Sequence, residues 1–185
     1  ATSEPGRQGC VVPSLGDRTN TFMDSFRRDS ANYRKVVTGT VIGSIDQSQI
    51  DATGGRSGPY EGSYVTGWYP TADDKCWYPM RAVIKEQAFG DNRIDPADSG
   101  VQTTWIAYTV LKRVIESLGA GEVSPLTVRH QLDSGIKVGT GGLTPTLSWR
   151  FDAQTSAASF PRLVNADVTF QVIRNGQLTS QRSGF

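Results

Sequence analysis

The sequence is poor in most of what catalysis and metal binding draw on. Among 185 residues there is one histidine, His130, and there are only two cysteines, Cys10 and Cys76. Histidine is the usual side chain for proton transfer near neutrality. His130 lies between apolar positions in Val128-Arg129-His130-Gln131-Leu132, with neither a nucleophile nor an orienting acid beside it, and reads as a surface residue. The cysteines lack the C-x-x-C spacing of a zinc or redox site and are too few for a disulfide framework. Either one bridge joins Cys10 and Cys76 in an oxidising compartment or both are thiols; their positions alone do not choose. The acidic pairs Asp73-Asp74 and Asp95/Asp98 have no metal-ligand spacing beside them. Gly139-Thr140-Gly141-Gly142 lacks the preceding strand, the following helix and the lysine of a phosphate loop, so it reads as a turn. No enzyme, cofactor or metal is expected.

Charge and long apolar runs are also scarce. The formal net charge is +1, which excludes the clustered cationic surface that nucleic-acid binding needs. The densest basic run, Arg27, Arg28, Arg34 and Lys35, reads as a solvated face. No apolar stretch approaches the roughly 18–20 residues needed to cross a bilayer. The opening Ala1-Thr2-Ser3-Glu4-Pro5-Gly6 is a polar, turn-rich lead that does not begin with Met, which leads us to expect that an upstream segment has been removed.

What is present is an ordinary core-forming composition, 37% hydrophobic and 20% charged, ordered as strands, then helices, then strands. Gly9-Cys10-Val11-Val12-Pro13 predicts a short buried strand, and Phe22, Met23 and Phe26 predict a helix behind an Asp17/Thr19 cap region. Val36, Val37, Val41 and Ile42 predict a second strand. Ser44-Ile45-Asp46-Gln47 then has the S-x-x-Q spacing of a capping box, and Gly54-Gly55 suits the left-handed stop of a short helix starting at Ser44. A third strand is expected within Glu61 to Tyr69, closed by Pro70.

From Cys76 onward helices follow without intervening strands. Met80 to Gln87 is the first, and Val101, Trp105, Tyr108, Leu111, Ile115 and Leu118 mark a long amphipathic helix ending near Gly119. Ser124-Pro125 supplies the N-cap and N1 proline of the next, which Gly135 stops. The tail is read as β: Thr146 to Phe151 alternates, and Val164 to Val172 keeps period two before the hairpin signal Asn175-Gly176. The opening βα series predicts an open, mostly parallel α/β sheet. The helical segment brings no strands of its own, so Trp105, Tyr108 and Leu111 must bury either on the local sheet or on a second sheet absent from the chain.

Taken in order, Gly54-Gly55, Tyr60-Glu61-Gly62-Ser63-Tyr64-Val65-Thr66, Ala107-Tyr108, Gly141-Gly142-Leu143-Thr144-Pro145 and Asn175-Gly176 resemble the second half of type I periplasmic binding proteins. The likeness is to the leucine/isoleucine/valine-binding group that serves ABC importers, and it covers residues 9–180. It implies two α/β lobes that close on a small solute such as an amino acid, delivered to an ABC permease. The implied division is a polar lead over 1–8, the second lobe over 9–69, a hinge crossing with helices of the first lobe over 70–135, and return strands over 136–185. The sheet would be sandwiched by helices, the chain a fragment needing the missing N-terminal lobe or a second copy, and the protein extracytoplasmic, either secreted or a membrane-anchored lipoprotein. The alternative is a sensory, structural or self-associating module that reuses the scaffold without transport.

The resemblance implies ligand contacts from the loops at the carboxyl ends of the first three strands, near Ser14, Ser44 and Trp68 or Tyr69. Ser44 either caps a helix or meets the ligand. Asp46 either pairs with an ammonium group or answers the helix dipole. Trp68 and Tyr69 offer an aromatic wall to an apolar or cyclic solute or pack the hinge; Trp77 and Tyr78 read as packing. The acid that holds the amino group in the family falls near Ile42–Ser44, a departure from its pattern.

Overall fold

The structure, a computed structural model, describes residues 9–29, 36–41, 45–88, 93–150 and 162–182. Strand β1 (Gly9–Val11) leads through a single 3-10 turn to helix α1 (Thr19–Arg28). Strand β2 (Val36–Val41) leads to helix α2 (Gln47–Ala52), and β3 (Tyr64–Gly67) follows. Three helices come next: α3 (Tyr78–Gln87), α4 (Ser99–Leu118) and α5 (Pro125–Asp133). Strands β4 (Thr169–Arg174) and β5 (Gln177–Ser180) complete the sheet.

The strands lie side by side in sequence order. β1, β2 and β3 are parallel, and β4 is antiparallel to both β3 and β5. Reversal on both sides of β4 makes β5 run with the first three, so the sheet is open and mostly parallel, as expected. The β4–β5 hairpin turns through Asn175 (φ 53) and Gly176 (φ 75), two positive φ values in succession, the primed turn that Asn-Gly favours. Glu61 secures it: its two carboxylate oxygens accept the Asn175 and Gly176 N–H groups at 2.7 and 2.9 Å. A Cβ at Gly176 would come within 2.4 Å of the Arg56 nitrogen, so only glycine fits.

Two cores form. Met23 of α1 and Ile45 and Ile50 beside and within α2 pack with Tyr60, Val65, Ile173 and Leu178, which covers one sheet face. On the other face Val41, Tyr64 and Phe170 remain exposed, so among the described residues the helical covering is one-sided. The second core joins Trp77 and Met80 to Ile106 and Leu143, with Tyr69 and Trp105 against them. Helix α4 therefore has two apolar flanks: Ile106 and Val114 are buried, whereas Tyr108, Leu111 and Ile115 face solvent. Among the described residues, nothing covers the flank of α4 that bears Tyr108, Leu111 and Ile115.

Several local expectations change. Helix α1 has no side-chain cap at Arg18, and the Thr19 hydroxyl instead accepts from the Leu15 N–H at 3.3 Å. The cap of α2 is Asp46, not Ser44, because an extended Asp46 (ψ 179) places its carboxylate on the Gln49 N–H. Ser44 and Ile42 lie outside the described residues. The tail holds less strand than its alternation predicts. Leu147 makes only an isolated bridge to Val138, with Pro145 unable to donate to a ladder just before it, and Phe151 lies outside the described residues. Strand β4 begins at Thr169, not Val164, because its partner β3 ends opposite it at Gly67 and the chain then turns away toward Pro70. The expected N-cap and stop of α5 hold, Ser124 capping it and Gly135 taking φ 91 after it; Thr127 adds the other half of a capping box.

Candidate functional site

The carboxyl ends of β1, β2, β3 and β5 and the start of β4 share one edge of the sheet. Ligands of open α/β sheets gather at such an edge because loops and helix N-termini converge there. Ser14 lies on it, exposed, in the turn after β1. Trp68 directly follows β3, with 49% of its surface exposed. These two are presented outward.

Asp46 and Tyr69 are used differently. Asp46 is only 7% exposed; one oxygen accepts the Gln49 N–H at 2.9 Å, and the other accepts the Ser99 N–H at 3.2 Å. A single carboxylate thus satisfies orphan amides at the starts of two helices, α2 and α4, and ties the sheet unit to the helical unit. Tyr69 is half-buried, its ring edge-on to Trp77 (6.0 Å between centroids) and to Trp68 (6.4 Å). Its hydroxyl shares a 3.0 Å hydrogen bond with the Thr103 hydroxyl on α4. These contacts join the residue after β3 to α4 and to the second core. Trp77 is buried, as read from the sequence; Tyr78 is 63% exposed, with the Arg81 guanidinium over its ring.

A polar layer near the crossing was not anticipated. Thr169 and Gln171 point to the covered face of β4 and are 3% and 2% exposed. The Thr169 hydroxyl and the Gln171 amide both donate to the Tyr69 carbonyl, at 3.0 and 2.9 Å. Gly67 permits this, since a Cβ there would sit 2.6 Å from Thr169 Oγ1 and 2.8 Å from Gln171 Nε2. The readable signal was period two itself: Thr169 and Gln171 fall on the same face as Ile173, and polar residues at inward strand positions mark special use. Gln47, the first residue of α2, was read as half of a capping box. Its buried amide instead donates to the Gly176 carbonyl and accepts the Leu178 N–H, at 2.9 and 2.8 Å, behaving as an added strand beside β5.

Asp74 and Asp98, plain loop carboxylates by sequence, are caps that accept the Cys76 and Val101 N–H groups. Cys10 and Cys76 are both free thiols, the first exposed and the second half-buried; of the two states left open, the bridge is not formed. The hydrogen bond to Asp74 and then burial push the Cys76 thiol above its ordinary range. Among the described residues no group of three or more histidine, cysteine, aspartate or glutamate side chains is placed to share a metal ion, and no helix is long and apolar enough to cross a membrane.

No protein-family model matches the chain, and no curated protein does. Solved structures do. A substrate-binding periplasmic protein from Ralstonia solanacearum matches with a TM-score of 0.66 at 16% identity, over 95% of this chain and 46% of its own. An extracellular ligand-binding receptor from Verminephrobacter eiseniae matches with a TM-score of 0.68 at 13% identity, over 94% of this chain and 45% of its own. The fold is therefore like that of part of these solved binding proteins. A branched-chain amino acid ABC transporter protein from Thermus thermophilus, solved with bound valine, matches at 12% identity with a TM-score of 0.62 over 95% of this chain. The chain spans 45–46% of the length of these three binding-protein folds.

Proposed function

We propose that the chain is the later half of the extracytoplasmic solute-binding component of an ABC importer, secreted or membrane-anchored, which grips an amino acid or similar small solute between two lobes. In this reading residues 9–69 and the return strands of 136–185 form the second lobe, and residues 70–135 cross the hinge to helices that cover the first. The carrying observation is a conjunction. Nearly the whole chain superposes on somewhat under half of each neighbour, and helix α4 leaves Tyr108, Leu111 and Ile115 exposed, with no sheet over that flank among the described residues.

Ser14 and Trp68, exposed on the carboxyl edge, are the residues through which this lobe meets the solute, together with Ser44. Asp46 and Tyr69 hold that edge in place. Closure of the lobes would shield Trp68, whose indole suits an apolar side chain of the solute. Native mass spectrometry of the two-lobed protein from its own host tests the reading, with a retained small molecule expected. Trp68→Ala should weaken its binding about tenfold or more, the loss of one buried aromatic contact. A two-lobed form that retains nothing, binds no amino acid, and self-associates through α4 would overturn the proposal in favour of a structural module.

A further inference from the structure

One turn of the molecule carries a chemistry unrelated to solute binding. Asn175-Gly176 is the one Asn-Gly pair in the sequence, and it forms the tip of the β4–β5 hairpin. Asparagine before glycine is open to self-modification, because no side chain on the following residue hinders its backbone nitrogen. The Gly176 nitrogen attacks the Asn175 side-chain Cγ, the N–H proton leaves with the departing amide as ammonia, and a five-membered succinimide closes. Water then opens the ring at either carbonyl, leaving aspartate or isoaspartate at position 175.

In the folded hairpin that nitrogen is held back. The Gly176 N–H donates to one Glu61 carboxylate oxygen at 2.9 Å, and the Asn175 N–H donates to the other at 2.7 Å. The reacting N–H must give up its proton, and a carboxylate at hydrogen-bond distance opposes the negative charge that this loss creates. The peptide is fixed as well. Gly176 is buried, its carbonyl accepts from Gln47 at 2.9 Å, and a Cβ on it would meet the Arg56 nitrogen at 2.4 Å. To close the ring, Asn175 must swing its Cγ onto a nitrogen that these contacts immobilise, so the hairpin has to open first. Asn175 itself is exposed, which gives water access to the ring once it forms.

We propose that Asn175 is a latent deamidation site, that the Glu61 carboxylate holds it closed while the hairpin is folded, and that conversion unseats β5. Isoaspartate routes the chain through its side-chain carboxyl and adds one carbon to the backbone, which displaces Gly176 from Gln47. Either product also brings a second carboxylate beside Glu61. Gln47 holds the Leu178 N–H at 2.8 Å too, so the change passes from the turn into β5 and its contact with α2. This chemistry is independent of any solute.

The 185-residue chain suffices for the test. It is incubated at mildly alkaline pH, native or unfolded in guanidinium, then digested at acid pH, and the deamidated fraction of the peptide holding Asn175 is measured by mass spectrometry. The native rate should be lower by about tenfold or more, the worth of one hydrogen bond to a charged acceptor. Glu61→Gln, with an otherwise unchanged amide spectrum to report intact folding, should deamidate about tenfold faster than the parent. Gln47→Leu loosens the hairpin but keeps the clamp, and should accelerate the reaction less. The converted protein, separated by ion exchange, should show faster hydrogen exchange at Leu178. Equal native and unfolded rates would overturn the proposal without any variant. So would a Glu61→Gln rate no higher than the parent's, the result expected of a carboxylate acting as base, or a Gln47→Leu rate as high as that of Glu61→Gln. Unchanged exchange at Leu178 after conversion would overturn the effect on β5.

Discussion

At the scale of single residues, the crossing after β3 depends on a missing side chain. Gly67 lies where Thr169 and Gln171 reach across to the Tyr69 carbonyl, closer than any Cβ tolerates. Gly67→Ala must push one or both donors off that carbonyl and overpack the site, costing about 1–3 kcal/mol. Urea denaturation followed by tryptophan fluorescence reads this as a lower midpoint, and an unchanged midpoint would refute the close approach. Tyr60 gives a second test. Burial pushes its phenol up to about 12 from an ordinary 10.0, and its hydroxyl donates to the Asn20 side chain. Between those values the unfolded chain has released a proton that the native state keeps, so rising pH favours unfolding through this window and has no such effect below it. Tyr60→Phe should lower stability by about 1 kcal/mol at neutral pH yet flatten the fall in Tm between pH 10 and pH 12. Neither residue announces itself in sequence, where Gly67 is one glycine among twenty and the depth of Tyr60 depends on α1 folding over it.

At the scale of elements, the sequence spoke most clearly where one element decides for itself. The Asn175-Gly176 hairpin, the Ser124-Pro125 start of α5 and the apolar period of α4 are local signals, and each has its expected form in the structure. Elements that depend on a neighbour were misread. Residues Val164 to Val168 alternate as a strand should, yet have no strand to pair with once β3 has ended. The start of α2 likewise moved from Ser44 to Asp46, whose carboxylate also reaches the Ser99 N–H 53 positions further along the chain. Asp46 and Tyr69, read as candidate ligand contacts, also bond Ser99 and Thr103 far along the chain, partners that no local pattern shows. Gln47 shows how far one element can lean on another. Replacing it by Leu removes the partner of the buried Leu178 N–H and of the Gly176 carbonyl, which should cost about 2–6 kcal/mol at about 1–3 per orphaned group. Hydrogen exchange at Leu178 is the local readout, with faster exchange expected in Gln47→Leu than in the parent.

At the scale of the whole molecule, apolar side chains on two surfaces of the described residues lie uncovered. One is the sheet face bearing Val41, Tyr64 and Phe170; the other is the flank of α4 bearing Tyr108, Leu111 and Ile115. Contiguous apolar patches of this kind mark an interface with something else. If α4 covers the sheet of a first lobe, the two-lobed form buries its flank and the 185-residue chain alone exposes it. Leu111→Glu with Ile115→Lys should therefore act in opposite directions on the two forms. In the chain alone the charges replace exposed apolar side chains, and sedimentation velocity should show less self-association than in the parent. In the two-lobed form they enter a buried contact and should destabilise it by about 3 kcal/mol or more, the scale of burying poorly paired charge. A flank that belonged only to solvent would leave both measurements unmoved, and one that served self-association alone would move only the first. The two-lobed arrangement alone requires both shifts, so this pair of measurements bears on the half-fold directly, without any solute being known.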